Sequence, residues 1–374
     1  MELKILHTGD LHIGMKFNNY PDTIREELVS ARFEVIDRLV EQANTNKCNI
    51  FLVAGDLFDN INRIPKKDID KVIKSLNKFE GECIVILPGN HDYDNGMSEL
   101  WDNFNKNITD KFIIMNENRP YKLKKYDLDV VIYPAYCNSK HSQDNNLGWI
   151  KELQEKPEGR WHIGIAHGAL ETISPDIENK YFNMTEDELE EIELDLWCLG
   201  HTHIPYPNEE LVNDIKIFNA GTPEPDGMDC SHNGNAWIIA IDEEKNIEGK
   251  RIKTGRYEFK DLKFLVKDED DFKKIKREVL TDKPEHKLVR LTLKGRIEKE
   301  LFSNLNILYE ELRDKLGYFY VDDSQLKVKI TKDIIDREFT KDSFPYRLLT
   351  GLSKNTEDDE ALQIAYELIK GVKE

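Results

Sequence analysis

Two periods alternate along the first part of the chain. Short apolar runs at residues 3–7, 50–53 and 84–87 are the length of buried strands, and each stops at a glycine or a polar cluster. Between them, apolar residues recur at helical spacing. Over residues 26–42 the inward positions are Leu28, Ala31, Val35 and Leu39, followed by Ala43, and over residues 67–79 they are Ile69, Ile73, Leu76 and Phe79. Further strands are predicted at 130–133, 162–166, 194–199, 215–218 and 236–241. Strands that are apolar on both faces suit a sheet covered by helices, so the fold class is α/β.

The grain changes after about residue 257. Strands at 262–266, 288–293 and 318–321 enclose helices at 271–280 and 298–316, which makes a small βαβαβ unit. Two short helical patterns follow, FPYRLLTGL and EALQIAYELI. They either pack on their own chain or dock a partner, and the pattern leaves both readings open.

With 374 residues and 39% hydrophobic content the chain can bury a full core in more than one domain. The formal charge of −19 is unevenly placed. Residues 1–255 carry 28 basic and 46 acidic side chains, a net of −18, whereas residues 256–374 carry 25 and 26, a net of −1. The acidic part makes a poor platform for a polyanion unless bound cations change the local sign. Cysteines at 48, 83, 137, 198 and 230 form no Cys-x-x-Cys pair and several sit in apolar runs, so small buried hydrophobes are expected. No signal-peptide pattern opens the chain, and no apolar run approaches the ~20 residues of a membrane helix. A cytoplasmic protein with no membrane partner is expected.

The candidate chemistry lies in five short segments, each at a predicted strand end: GDLH at 9–12, GDLF at 55–58, GNHD at 89–92, AHG at 166–168 and GHTH at 200–203. Five of the ten histidines fall within them. Glycine beside each candidate ligand is expected to let the backbone turn sharply off the strand, so that the strand ends gather their ligands at one edge of the sheet. Asp10 and His12, like His201 and His203, are two residues apart, a spacing at which side chains share a face in an extended segment. Carboxylate, imidazole and amide oxygen without thiolate suit Mn, Fe, Zn or Mg. Any one motif alone is weak; all five at strand ends point to a metal site.

The order D-x-H, G-D, G-N-H-D, a lone His, then G-H-x-H resembles the calcineurin-like metallophosphoesterases over roughly the first 220 residues. HTGDLHIG, GDLF, PGNHD and the small following unit are similar to the SbcD family of DNA-repair nucleases, and AGTPEPDG at 220–227 is similar to its YhaO-like branch. The resemblance implies a helix-flanked β-sandwich over residues 1–256, a capping, DNA-binding domain over 257–333 and a C-terminal helical region over 334–374 that docks an SbcC-like coiled-coil ATPase. It implies one ion held by Asp10, His12, Asp56 and His203 and a second held by Asp56, Asn90, His167 and His201, with Asp56 the bridge. Mn²⁺ is the first choice, with Mg²⁺, Fe²⁺ or Zn²⁺ as alternatives. His91 is then the catalytic acid rather than a ligand. Asp59 stands where some SbcD relatives carry histidine.

These readings give an expected function: hydrolysis of DNA phosphodiesters, exonucleolytic or endonucleolytic, in double-strand-break repair. A homodimer is compatible with it. The alternatives are a metallophosphatase or phosphodiesterase acting on nucleotides or phosphoproteins, and a subunit that tethers or regulates a DNA-repair ATPase. The basic segments 273–277 and 287–296 are either DNA contacts or solvated faces balanced by acids. Asp92 either orients His91 or caps its turn, and His7 is placed behind the site or in the core.

Overall fold

The computed structural model describes residues 2–62, 64–174, 176–354 and 359–371. Two compact units divide the chain, one ending at Phe259 and the other beginning at Lys260.

The first unit is built on two sheets. In the larger, the strands β1 (Leu3–Thr8), β2 (Ile50–Ala54), β3 (Cys83–Leu87) and β4 (Phe112–Ile114) run parallel, in the order β4-β3-β2-β1. The smaller sheet contains β5 (Tyr121–Lys122), β6 (Val130–Ala135), β7 (Trp161–His167) and β8 (Leu196–Gly200), of which β6, β7 and β8 are parallel. β9 (Leu211–Asn213), β11 (Asn235–Ile241) and β12 (Ile247–Lys253) extend the larger sheet beyond β1, and β10 (Ile217–Asn219) edges the smaller one beside β8.

Every residue of β2 and β3 is buried because both faces are covered. Phe51, Val53, Ile84 and Ile86 pack outward against Val35, Ile36 and Leu39 of α1 (Asp22–Thr45) and Ile69, Val72 and Leu76 of α2 (Lys66–Leu76). Ile50, Leu52, Val85 and Leu87 point the other way, onto Ile132, Ile163, Ile165 and Leu196 of the second sheet. The outer face of that sheet, with Val131, Tyr133, Trp197 and Leu199, is covered by Leu147, Ile150 and Leu189. Helices thus cover both outer faces of a sandwich; the apolar pattern predicts the helical cover, while the second sheet packed on the inner face is what the resemblance implies. α3 (Glu99–Asn105), α4 (Gly148–Lys151) and α5 (Glu186–Glu191) are short and their periods too brief to read from sequence. The register aligns Thr8 with Val53, Ala54 with Leu87 and His167 with Gly200, so these strands end together.

In the second unit β13 (Glu258–Val266), β14 (Lys287–Ile297) and β15 (Tyr318–Val328) form one sheet in that order, with β14 and β15 parallel. α6 (Glu269–Val279) follows β13. The helix predicted over 298–316 is two, α7 (Lys299–Ser303) and α8 (Leu305–Lys315), because the chain leaves helical geometry at Asn304 and the Ser303 hydroxyl donates to the Lys299 carbonyl. α9 (Lys332–Glu338), α10 (Phe344–Leu352) and α11 (Asp359–Gly371) share a small core of Ile335, Phe339, Leu349 and Leu362. Phe344, Leu348, Ile364 and Leu368 nevertheless stay exposed.

The basic segments resolve unevenly. Lys273 and Lys274 pair with Asp270 and Asp271, Lys276 with Glu311, and Arg290 with Asp261, so these are balanced faces. Lys294 and Arg296 instead line a groove of about 870 Å³ with Lys267, Lys327 and Lys329. All five cysteines are buried and free. No helix among the described residues is long and apolar enough to cross a membrane.

Candidate metal centre

The candidate ligands leave their strands on unusual backbone. Asp10, His12, Asp56 and His201 all have positive φ, at 54°, 45°, 51° and 100°. Non-glycine residues rarely adopt that region, and it costs of order 1–3 kcal/mol each, so such residues persist where the surroundings over-determine them. Here Asp10 N–H donates to Gly55 O at 3.1 Å and His12 N–H to Asp56 O at 2.9 Å, which locks the first segment onto the second. Asp10 and His12 therefore converge through a left-handed turn and not through an extended run.

The glycines act by their size. A Cβ on Gly55 would lie 2.0 Å from Nδ1 of His167, and one on Gly200 would lie 2.0 Å from the Ala54 carbonyl oxygen. Gly55, with φ of 88°, turns as expected, whereas Gly9, Gly89, Gly168 and Gly200 have no positive φ, and there the expectation that glycine supplies the turn is corrected.

All seven predicted ligands come together. Nε2 of His12 and Nε2 of His203 face each other at 3.1 Å, and Oδ1 of Asp10 lies 3.9 Å from the first and 3.7 Å from the second. In a second group, Oδ1 of Asn90 lies 3.0 Å from both Nε2 of His167 and Nδ1 of His201. Between the groups stands Asp56, whose Oδ2 is 3.7 Å from Nε2 of His12 and 3.3 Å from Nε2 of His167. Asp10, Asp56, Asn90, His12 and His167 are essentially inaccessible to solvent.

Hydrogen bonds behind the rings decide which nitrogens face inward. Nδ1 of His167 lies 2.8 Å from the Ala54 carbonyl, which can only accept, so Nδ1 keeps its proton and Nε2 points into the site. Nδ1 of His203 donates likewise to Oδ2 of Asp226 at 2.8 Å. Three Nε2 atoms, one Nδ1, two carboxylates and an amide oxygen thus converge on small volumes, where proton or cation can sit. The donor set, free of thiolate, fits a hard or borderline divalent cation.

The electrostatics agree. Burial raises Asp10 above the usual carboxylate range, and nearby histidines only partly offset it. Burial also opposes charge on Asp56, yet His167 beside it and His12 hold that carboxyl well below the usual range. Burial would lower His167 and His203, but Asp56 raises the one and Asp226 the other, each to about 9. His201, buried and repelled by His167, is pushed down to about 3 and is a neutral imidazole.

His91 lies at the rim. Its ring meets that of His12 edge-on at 4.8 Å, and Nδ1 lies 3.0 Å from the Asp59 carbonyl. Asp92 does not touch this ring. Its carboxylate accepts from Gly89 N–H at 2.7 Å and Phe58 N–H at 3.0 Å, so it caps the turn. Burial and then Asp56 raise it to about 7. His7 is buried between the sheets, outside the ligand groups, and burial pushes it down to about 3.

Sequence reasoning missed Asp226 and Arg32. Arg32 is buried on the inward stripe of α1, four residues from Leu28, and donates to Leu11 O at 2.9 Å. A cation on an apolar stripe was its signal. Asp226, in a Pro/Gly-rich segment, reads as a turn residue. Tyr181, whose ring lies 5.2 Å from that of His201, had no signal.

The family model described as calcineurin-like phosphoesterase matches residues 3–205. The chain is 24% identical over 213 residues to an uncharacterized metallophosphoesterase, YhaO, of Bacillus subtilis strain 168, which covers 54% of this chain and 49% of that protein. It is 25% identical over 237 residues to the DNA double-strand break repair protein Mre11 of Methanopyrus kandleri, covering 60% and 49%. It thus spans about half the length of the curated relatives it matches. Among solved structures, TT1561 of Thermus thermophilus matches with a TM-score of 0.40 at 9% identity, over 67% of this chain and 98% of that one.

Proposed function

The chain belongs to the calcineurin-like phosphoesterase family, whose members use divalent metals, and on that premise we propose that it is a two-metal nuclease hydrolysing DNA phosphodiesters. The observation that carries this reading is the position of Asp56 Oδ2 between two groups of inward-facing donors. In it, Asp10, His12, Asp56 and His203 hold one ion, and Asp56, Asn90, His167 and His201 hold the other. Bound divalent ions, Mn²⁺ first among them, supply Lewis-acid stabilisation of a phosphoryl group and activation of water.

This chain's own residues do the rest. His91, at the rim with Nδ1 committed to the Asp59 carbonyl, keeps Nε2 for a leaving oxygen and is assigned the acid. Asp59 lies 3.6 Å from Nδ1 of His12 and leaves no histidine there to touch a phosphate. DNA as substrate is favoured by the resemblance to Mre11 and by the groove of the second unit, where five cations face Glu298, Glu360 and Glu367. In this reading residues 257–333 are the DNA-binding capping domain of the family, and residues 334–374 dock an SbcC-like ATPase through the exposed apolar side chains of α10 and α11.

The test is an assay with Mn²⁺ in which purified protein is offered duplex DNA, single strands, a nucleotide and a phosphopeptide. The reading expects DNA cleavage. Turnover of the nucleotide or phosphopeptide alone would replace it with a phosphatase or a nucleotide phosphodiesterase.

A further inference from the structure

His203 is held less by its surroundings than His12 or His167. Its side chain is 31% exposed, against 3% for His12 and 0% for His167. Packing therefore restrains this ring less than the other two, and an imidazole ligand depends on a partner behind it to fix its orientation. What meets it from behind also differs. The Nδ1 proton of His167 goes to a neutral carbonyl, whereas that of His203 goes to the carboxylate of Asp226.

Asp226 is in turn held in place. The guanidinium of Arg32 is buried, donates through Nη1 to Leu11 O and brings Nη2 to 3.7 Å from Asp226 Oδ2. Thr222, four residues before Asp226, donates through its hydroxyl to the Asp10 carbonyl at 2.9 Å. The loop that carries Asp226 is thus tied to the backbone of a candidate ligand on the same side of the site. The side chain of Asp226 is 13% exposed, and so is screened little by solvent.

Resting on the two-metal reading above, we propose that Asp226 is a positioning residue that aims Nε2 of His203 at the ion of the Asp10–His12–His203 group, with Arg32 fixing Asp226. A carboxylate behind a ligating imidazole fixes the tautomer and makes the inward nitrogen a stronger donor, and losing such a partner typically costs about 10–100-fold in metal affinity. The dependence is one-sided, since the Asn90–His167–His201 group has no contact with Asp226.

Calorimetric titration of the full chain with Mn²⁺ tests this. The wild type should take up two ions. Asp226→Ala should weaken one of them by about 10–100-fold and leave the other unchanged, while Asp226→Asn, which keeps an acceptor but not the charge, should fall between. Unchanged binding, or equal weakening of both ions, overturns the proposal. His203→Ala checks the underlying reading separately: it should abolish one ion, and uptake of two would show that His203 is no ligand, which ends the proposal whatever Asp226 does. A measurement on the wild type needs no variant. In the Zn²⁺-loaded protein, ¹⁵N–¹H correlation of the His203 ring should show Nδ1 protonated and Nε2 bound to metal. The reverse assignment contradicts the proposal.

Discussion

The backbone N–H of His91 donates to Oδ1 of Asp56 at 2.8 Å, and this bond decides which oxygen of Asp56 faces the histidines. With Oδ1 committed, Oδ2 is left between His12 and His167. The GNHD segment thus contributes twice to the site. Its main chain aims the carboxylate of the GDLF segment, and its Asn90 supplies an amide oxygen. The His91 ring is free of both duties.

That division predicts the behaviour of His91→Ala. The variant keeps the main-chain bond to Asp56, so it should retain both ions by metal analysis. Its rate on DNA should fall by about 10²–10⁴-fold, the usual contribution of a general acid. With a nitrophenyl phosphodiester, whose leaving group needs little protonation, the loss should shrink. Loss of an ion, or equal losses on both substrates, would make His91 a ligand or a structural group.

Gly55→Ala tests whether the glycines act by size. Gly55 has φ of 88°, and an added Cβ would fall 2.0 Å from Nδ1 of His167. His167 must move and lose its bond to Ala54. The expected result is a folded protein by circular dichroism that has lost the ion of the His167 group. Strain at that φ adds of order 1 kcal/mol or more of destabilisation, readable as a lower melting temperature. Full metal content would show that the ring has room to shift.

The raised histidines give the site a pH dependence. Asp56 and Asp226 hold His167 and His203 up to about 9, so protons compete with metal for the inward nitrogens below that pH. Apparent Mn²⁺ affinity should therefore rise from pH 6.5 towards 9, with protons released on binding, and level off above. Calorimetry in buffers of different ionisation enthalpy counts those protons. Affinity independent of pH over this window would contradict the assignment of these two nitrogens as ligands.

The tail makes a prediction of its own. α9, α10 and α11 share a core built on Ile335, Phe339, Leu349 and Leu362, distinct from the core beneath the three-stranded sheet. If the tail docks a coiled-coil ATPase as proposed, deleting residues 334–374 should abolish that complex and leave Mn²⁺-dependent cleavage of a small phosphodiester intact. Unfolding of the whole chain on deletion would instead make the tail part of the core.

Much of this was legible in the sequence because burial on both faces imposes its own pattern. IFLVA and CIVIL announce strands with a core on each side, and α1 shows its inward stripe from Leu28 to Ala43. The seven candidate ligands were legible as a set, since five motifs at strand ends point to one place as no single motif does, and the structure brings their side chains together. What escaped was geometry beyond the strand ends. Spacing cannot reveal that Asp10 and His12 sit at positive φ, or that Gly55 and Gly200 are demanded by neighbours 112 and 146 residues away in the chain, His167 and Ala54. The carboxylate behind His203 escaped for the same reason, because Asp226 reaches it from a loop whose sequence signals only a turn.

The central claim is that Asp56 bridges two cations. Electron paramagnetic resonance of the protein loaded with Mn²⁺ tests it most directly, because two ions about 3.5–4 Å apart through a shared carboxylate couple their spins. The account predicts a coupled dinuclear signal at two ions per chain, replaced in Asp56→Asn by loss of both ions or by an uncoupled signal. An isolated six-line spectrum from the wild type at every loading, with full activity at one ion per chain, would contradict it.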